Sequence, residues 1–306
     1  PWALLSAKLY AMLSALRPFG LYLGCAVLAL LFGLTSGAST NANGAFATAL
    51  CLVILVAGLP HGAFDYYLLS ARYHGAMIFA ALAGYIALAG ITVLLWWSLP
   101  MMFLFSFLVY SAFHFGDSDW HTQPTGRKWA WGIAIVALPC LLATTTVASL
   151  FTVITGVADL VQSTRLFGLL ALPAVIYCCW PSQALSPNPM PALIAGYALV
   201  CLAAGPLAAF ACYFACLHSP FHLRRWRQRT ADGSLFAVYG LTALVLLCIA
   251  ILVWQYPVAW DQASSVGIDP SALRYTFLAL AALTVPHMTL LFALQRNDKL
   301  AGSPQT

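Results

Sequence analysis

Five histidines sit inside apolar stretches of this chain: His61, His114, His218, His222 and His287. An ionisable side chain in a bilayer is costly unless it is paired or lines a functional cavity, so each invites a functional reading. The plain alternative is a neutral imidazole hydrogen-bonded to a neighbouring helix. Neutral imidazole is also the commonest protein metal ligand. In "HSPFH", His218 and His222 lie one helical turn apart, a spacing that presents both rings to a single ion. Imidazole suits iron, copper and zinc alike. The nine cysteines fall almost entirely in apolar segments without CxxC spacing, which argues against a structural zinc site and a disulfide framework. Every acidic residue is an aspartate, so motifs that need a glutamate, such as HExxH, are excluded. Four neutral histidines around Fe(II) would leave two octahedral positions open, room for dioxygen beside an apolar substrate. His74 and His121 fall near Arg72 and Gln123 and read as solvated loop residues.

Two carboxylates accompany the histidines. Asp65 follows His61 by four residues and Asp119 follows His114 by five, positions from which a carboxylate can orient the non-ligating ring nitrogen. In "GDSDW" a hydrated Asp119 at the aqueous boundary is an equal alternative. Tyr66, Phe115, Trp120, Tyr213, Phe214 and Phe221 neighbour these positions and are candidates for the walls of an apolar cavity. Ordinary helix packing is the favoured reading for any one of them taken alone. Pro60 and Pro286 each precede a histidine and loosen the local helix.

These residues need helices within a membrane to position them. The 306 residues are 62% hydrophobic and 7% charged, with a mean hydropathy of +0.89, a composition beyond what a soluble core of this length requires. The net charge of +5 gathers at the ends of apolar runs, a topology signal and not a nucleic-acid surface. At about 20 residues per crossing, spans are expected at 19–37, 44–70, 75–98, 100–116, 129–147, 190–222, 234–258 and 270–296. The chain is therefore expected to be an all-α, polytopic bundle of eight spans in a single integral-membrane domain, 1–306. The positive-inside rule puts Lys8/Arg17, Arg72, Arg127/Lys128, Arg224/Arg225/Arg227/Arg229 and Arg296/Lys299 in the cytoplasm, with both termini. Residues 148–181 must then cross an even number of times, as a re-entrant or interfacial hairpin or as two thin spans. A removable signal peptide is not expected. On this topology the five histidines share one depth, in the cytoplasmic half.

The blocks "GLPHGAFD" (58–65), "FHFGDSD" (113–119), "HSPFH" (218–222) and "TVPHM" (284–288), in this order, resemble the Brp/Blh family of membrane β-carotene 15,15′-dioxygenases of bacteria and archaea. The resemblance spans the core of the chain. It implies a cell-membrane enzyme that uses O2 to cleave β-carotene at its central double bond into two retinals. It further implies Fe(II) held by His61, His114, His218 and His222, with Asp65, Asp119 and His287 as supporting or additional residues. The chain departs from the family pattern at Phe221, where a basic residue is common, and after "PHM", where it reads "TLLFAL". A different class also fits the histidines: a haem-binding electron-transfer protein with axial imidazoles. A retinal-binding receptor is disfavoured, because Lys8, Lys128 and Lys299 all lie at span ends. No nucleic-acid partner is expected, and oligomeric state is not encoded in any feature of the sequence.

Overall fold

In hydrocarbon every backbone polar group must be satisfied within its own segment, so apolar runs of this length become helices. The computed structural model describes residues 10–36, 44–181, 187–227, 235–256 and 269–300, and every regular element among them is helical. After a short 3-10 turn at Arg17–Phe19 come α1 (Gly20–Ser36), α2 (Gly44–Arg72), α3 (Ala76–Ser98), α4 (Pro100–Asp119), α5 (Thr125–Leu142) and α6 (Thr144–Thr155). Next are α7 (Val161–Gly168), α8 (Ala171–Cys179), α9 (Met190–Ala204) and α10 (Pro206–Tyr213). A π-helical turn (Phe214–His218) leads into α11 (Ser219–Arg227), followed by α12 (Leu235–Gln255) and α13 (Pro270–Leu300).

The interior is built on close helix crossings. A Cβ at Gly132 would lie 1.7 Å from the Ala112 carbonyl oxygen, and one at Gly116 would lie 1.9 Å from that of Lys128. Only hydrogen fits there, so α4 and α5 meet backbone to backbone, as membrane helices do where small residues face each other. Buried tyrosines tie further pairs together: Tyr22 donates to the Leu193 carbonyl at 3.1 Å, and Tyr197 to that of Ile135 at 3.1 Å. By contrast α3 buries only Thr92 and turns Phe79, Ile86, Leu94 and Trp97 outward, an apolar face suited to lipid.

Five helical segments among the described residues are long and apolar enough to cross a membrane: Tyr10–Thr35, Gly44–Arg72, Ala76–Ser98, Val161–Cys179 and Pro270–Leu294. A sixth is counted if the bent pair Thr125–Leu142 and Thr144–Thr155 forms one span. That is fewer than the eight expected, and the differences have local causes. The expected span 129–147 stops at Leu142, and the chain turns by 107° into α6. The expected span 190–222 breaks at Gly205, whose φ of 93° suits glycine alone and whose successor, Pro206, lacks the N–H to continue a helix. The stretch 148–181 completes α6 and forms α7 and α8, and its Val161–Cys179 portion is long enough to cross. The expected span 234–258 is occupied by α12, 21 mostly apolar residues from Leu235 to Gln255. Lys8, Arg229, Asp261 and the connection 38–43 lie outside the described residues.

Candidate metal centre

Four of the five histidines converge. His114 comes from the last turns of α4, His218 from the π turn, His222 from α11 and His287 from α13, directly after Pro286. The π turn has a sequence cause. Pro220 carries no N–H, and its ring crowds the carbonyl four residues earlier; a widened turn just before it relieves both problems. Such turns recur at functional sites. It brings the His218 and His222 ring centroids to 5.7 Å, with His114 at 4.9 Å from His218 and 5.3 Å from His222.

Each of His114, His222 and His287 can offer a ring nitrogen such that all three atoms lie within 4.8 Å of one another. The Nε2 atoms of His287 and His222 are 3.0 Å apart. Metal–nitrogen bonds of about 2.0–2.1 Å set at right angles give neighbouring ligand atoms that same separation. All four rings are buried, none more than 8% exposed. His61 lies on α2 beside Gly58, Leu59 and Gly62, which line the adjoining cavity; its side chain lies outside the described residues.

The outer nitrogens are held by named partners. His287 Nδ1 lies 2.7 Å from Asp65 Oδ1, and Tyr85 donates its hydroxyl to Asp65 Oδ2 at 2.7 Å. His218 Nδ1 lies 2.9 Å from Asp119 Oδ1, while Tyr213 Oη and Trp131 Nε1 donate to Asp119 Oδ2 at 2.6 and 2.9 Å. A carboxylate only accepts, so in both pairs Nδ1 carries the proton, and in the neutral ring Nε2 keeps its lone pair. Ser118 Oγ meets His222 Nδ1 at 2.7 Å. A hydroxyl both donates and accepts, so His222 can present Nε2–H toward His287 or, with its proton on Nδ1, a second lone pair to an ion. Asp65 and Asp119 thus each grip a histidine from another element.

An apolar cavity opens from this cluster. His114, His218 and His287 line it, together with Phe107, Ile135, Phe210 and Phe277 among others. A smaller, more polar pocket lies on the other side of His114, between His222, Asp117, Ser118, Arg225, Met288 and Phe292. Of the aromatic residues singled out by sequence, Phe115 and Phe214 line the apolar cavity. Tyr213 is the donor to Asp119. Trp120 packs on Phe19 and Trp131, and Phe221 on Phe19. Tyr66 is half exposed and packs against Tyr67. Sequence reasoning passed over Tyr85, Ser118 and Trp131. Ser118 sits in the same block as His114, and Tyr85 is one of three hydroxyl residues in an otherwise apolar helix, so each carried a weak signal.

Comparison with known proteins gives a consistent result. The profile of the family "Beta-carotene 15,15'-dioxygenase" matches residues 51–295. A curated relative from Uncultured marine bacterium 66A03, named "Beta-carotene 15,15'-dioxygenase", is 32% identical over 256 residues, which covers 79% of this chain and 91% of the relative. No solved structure gives a significant match.

Proposed function

The chain belongs to the β-carotene 15,15′-dioxygenase family, and from that premise we propose that it cleaves β-carotene with O2 at an Fe(II) centre within the histidine cluster. In this reaction the central carbon–carbon double bond breaks and each of its carbons gains one oxygen atom. One β-carotene and one O2 give two retinals, with no further reductant.

The observation that carries this reading is the set of imidazoles from separate elements, their Nδ1 atoms tied to Asp65, Asp119 and Ser118, at the mouth of an apolar cavity. The proposed ligands are His61, His114, His218 and His222, joined by His287, whose Nε2 faces that of His222. Bound iron would supply the site of O2 activation. The chain supplies the rest. Asp65 and Asp119 fix which nitrogen of His287 and His218 is free to ligate, and the hydroxyls of Tyr85 and Tyr213 hold those carboxylates in place. Phe115, Phe210 and Phe214 flank the centre with rings that hold a polyene by apolar contact and exclude water. No general base is called for, in keeping with a site whose carboxylates are both engaged. A substrate that dissolves only in lipid reaches such a site without passing through water.

The haem alternative gains nothing from the geometry, since Nε2 atoms 3.0 Å apart leave no thickness for a porphyrin between His222 and His287. The location we propose is a bacterial or archaeal cell membrane, with the histidine ends of the helices toward the cytoplasm. The basic residues Arg72, Lys128, Arg224 and Arg225 cluster at those ends.

The test is expression in a β-carotene-accumulating bacterium. Loss of orange colour with appearance of retinal is the expected result. Persistent colour alongside correctly inserted, iron-loaded protein would sink the proposal.

A further inference from the structure

At the end away from the histidines the apolar cavity is lined by α6. The chain leaves α5 at Leu142 and turns by 107°, so that α6 crosses the bundle instead of continuing along it. Val147, Leu150 and Phe151 of α6 line the cavity. The end of α6 is pinned from two sides: Trp96 Nε1 and Arg274 Nε both point to the Ile154 carbonyl oxygen, at 3.0 and 3.4 Å. Arg274 lies near the start of α13, and His287 lies on the same helix well beyond it. Along α13 the cavity is lined from Phe277 to His287, ten residues of helix, or about 15 Å at 1.5 Å per residue. The histidines stand at one end of that length and α6 at the other.

Resting on the reading above, we propose that α6 closes this cavity and makes it a ruler. It receives one ringed half of the carotenoid, the ring stops against Leu150, Phe151 and Phe277, and the double bond that comes to rest at the histidines is the one cut. The depth of the cavity is comparable to the length of one retinal unit, so a full-length β-carotene is registered at its midpoint without the protein sensing the other half. That second half lies beyond His114, on the side where Met288 and Phe292 line the smaller pocket. The cleavage position is then a property of the distance from α6 to the cluster, not of the symmetry of the substrate.

The experiment uses the unaltered, membrane-inserted protein and a carotenoid with one ring intact and the opposite half shortened by several carbons to an aldehyde. A ruler gives retinal from the ringed half, as it does from β-carotene. Cleavage at the midpoint of the shortened molecule, or no cleavage of it by protein that cuts β-carotene, overturns the inference and leaves the assigned activity intact. Failure to cut β-carotene itself counts against the assigned activity instead. A second arm deepens the cavity by Phe151→Leu, Phe151→Ala or Phe277→Ala. Retinal should fall from the sole product to a minor one as a longer aldehyde and, in equal amount, a shorter fragment replace it; at the next double bond, where one carbon carries a methyl group, that shorter fragment is a methyl ketone. Variants that consume β-carotene and still yield retinal alone would overturn the ruler.

Discussion

At the scale of single residues, the centre is organised by two carboxylates. Asp119 accepts from Tyr213 and Trp131 on one oxygen and holds His218 with the other. Asp119→Asn keeps the shape but places an amide where His218 needs an acceptor, and iron affinity should fall by about 10–100-fold; metal titration of purified protein measures it. His287→Ala should lose most of the bound iron while the protein still inserts, because its Nε2 faces His222 at 3.0 Å. Iron retained in full would reduce His287 to an orienting role. Much of this set was legible in the sequence: the histidines, Asp65 and Asp119 are polar residues in apolar surroundings, a context that has to be accounted for. Which carboxylate serves which ring was not legible. Asp65 lies four residues from His61 yet grips His287, 222 positions away, and a pairing of that span is made by packing, on which local spacing is silent.

At the scale of elements, the contact between α4 and α5 governs the site, since α4 carries His114, Ser118 and Asp119 while α5 carries Trp131. A methyl group at Gly132 would collide with the Ala112 backbone. Gly132→Ala should therefore destabilise the protein by about 1–3 kcal/mol or more and lower its melting temperature in detergent. Gly24→Ala, which meets nothing within 4 Å, should leave it unchanged and serves as the control. Hydropathy located most of these helices because it measures how apolar a run is. It does not measure straightness, which is why the turn at Ala143 and the break at Gly205 escaped it. The break had a signal in the Gly205–Pro206 pair, overlooked in a continuous apolar run; the turn at Ala143 has no glycine or proline at the bend itself, and the docking of Ile154 on Trp96 and Arg274 holds the helix that follows it.

For the molecule as a whole, sequence was enough to establish an all-helical membrane bundle, whereas the number of crossings depends on helix breaks that packing decides. Sidedness is directly measurable: reporters inserted at His74 and His121 and after Arg227 should all report the cytoplasmic face; all three on the opposite face would reverse the proposed orientation, and a split result would refute the topology. The tethering of the histidine rings has a further effect at this scale. His287, His218 and His222 are each held by a protein partner, so their arrangement does not depend on an ion to draw them together, in contrast to domains that fold only around their metal. Stripping iron with a chelator should abolish turnover yet leave helical content and melting temperature nearly unchanged, and added Fe(II) should restore activity without refolding. Synthesis and metallation are then separate events. On the proposed iron chemistry, a cell short of iron would keep a reserve of finished but idle protein in its membrane and switch on the proposed cleavage as soon as iron returns, with no new translation.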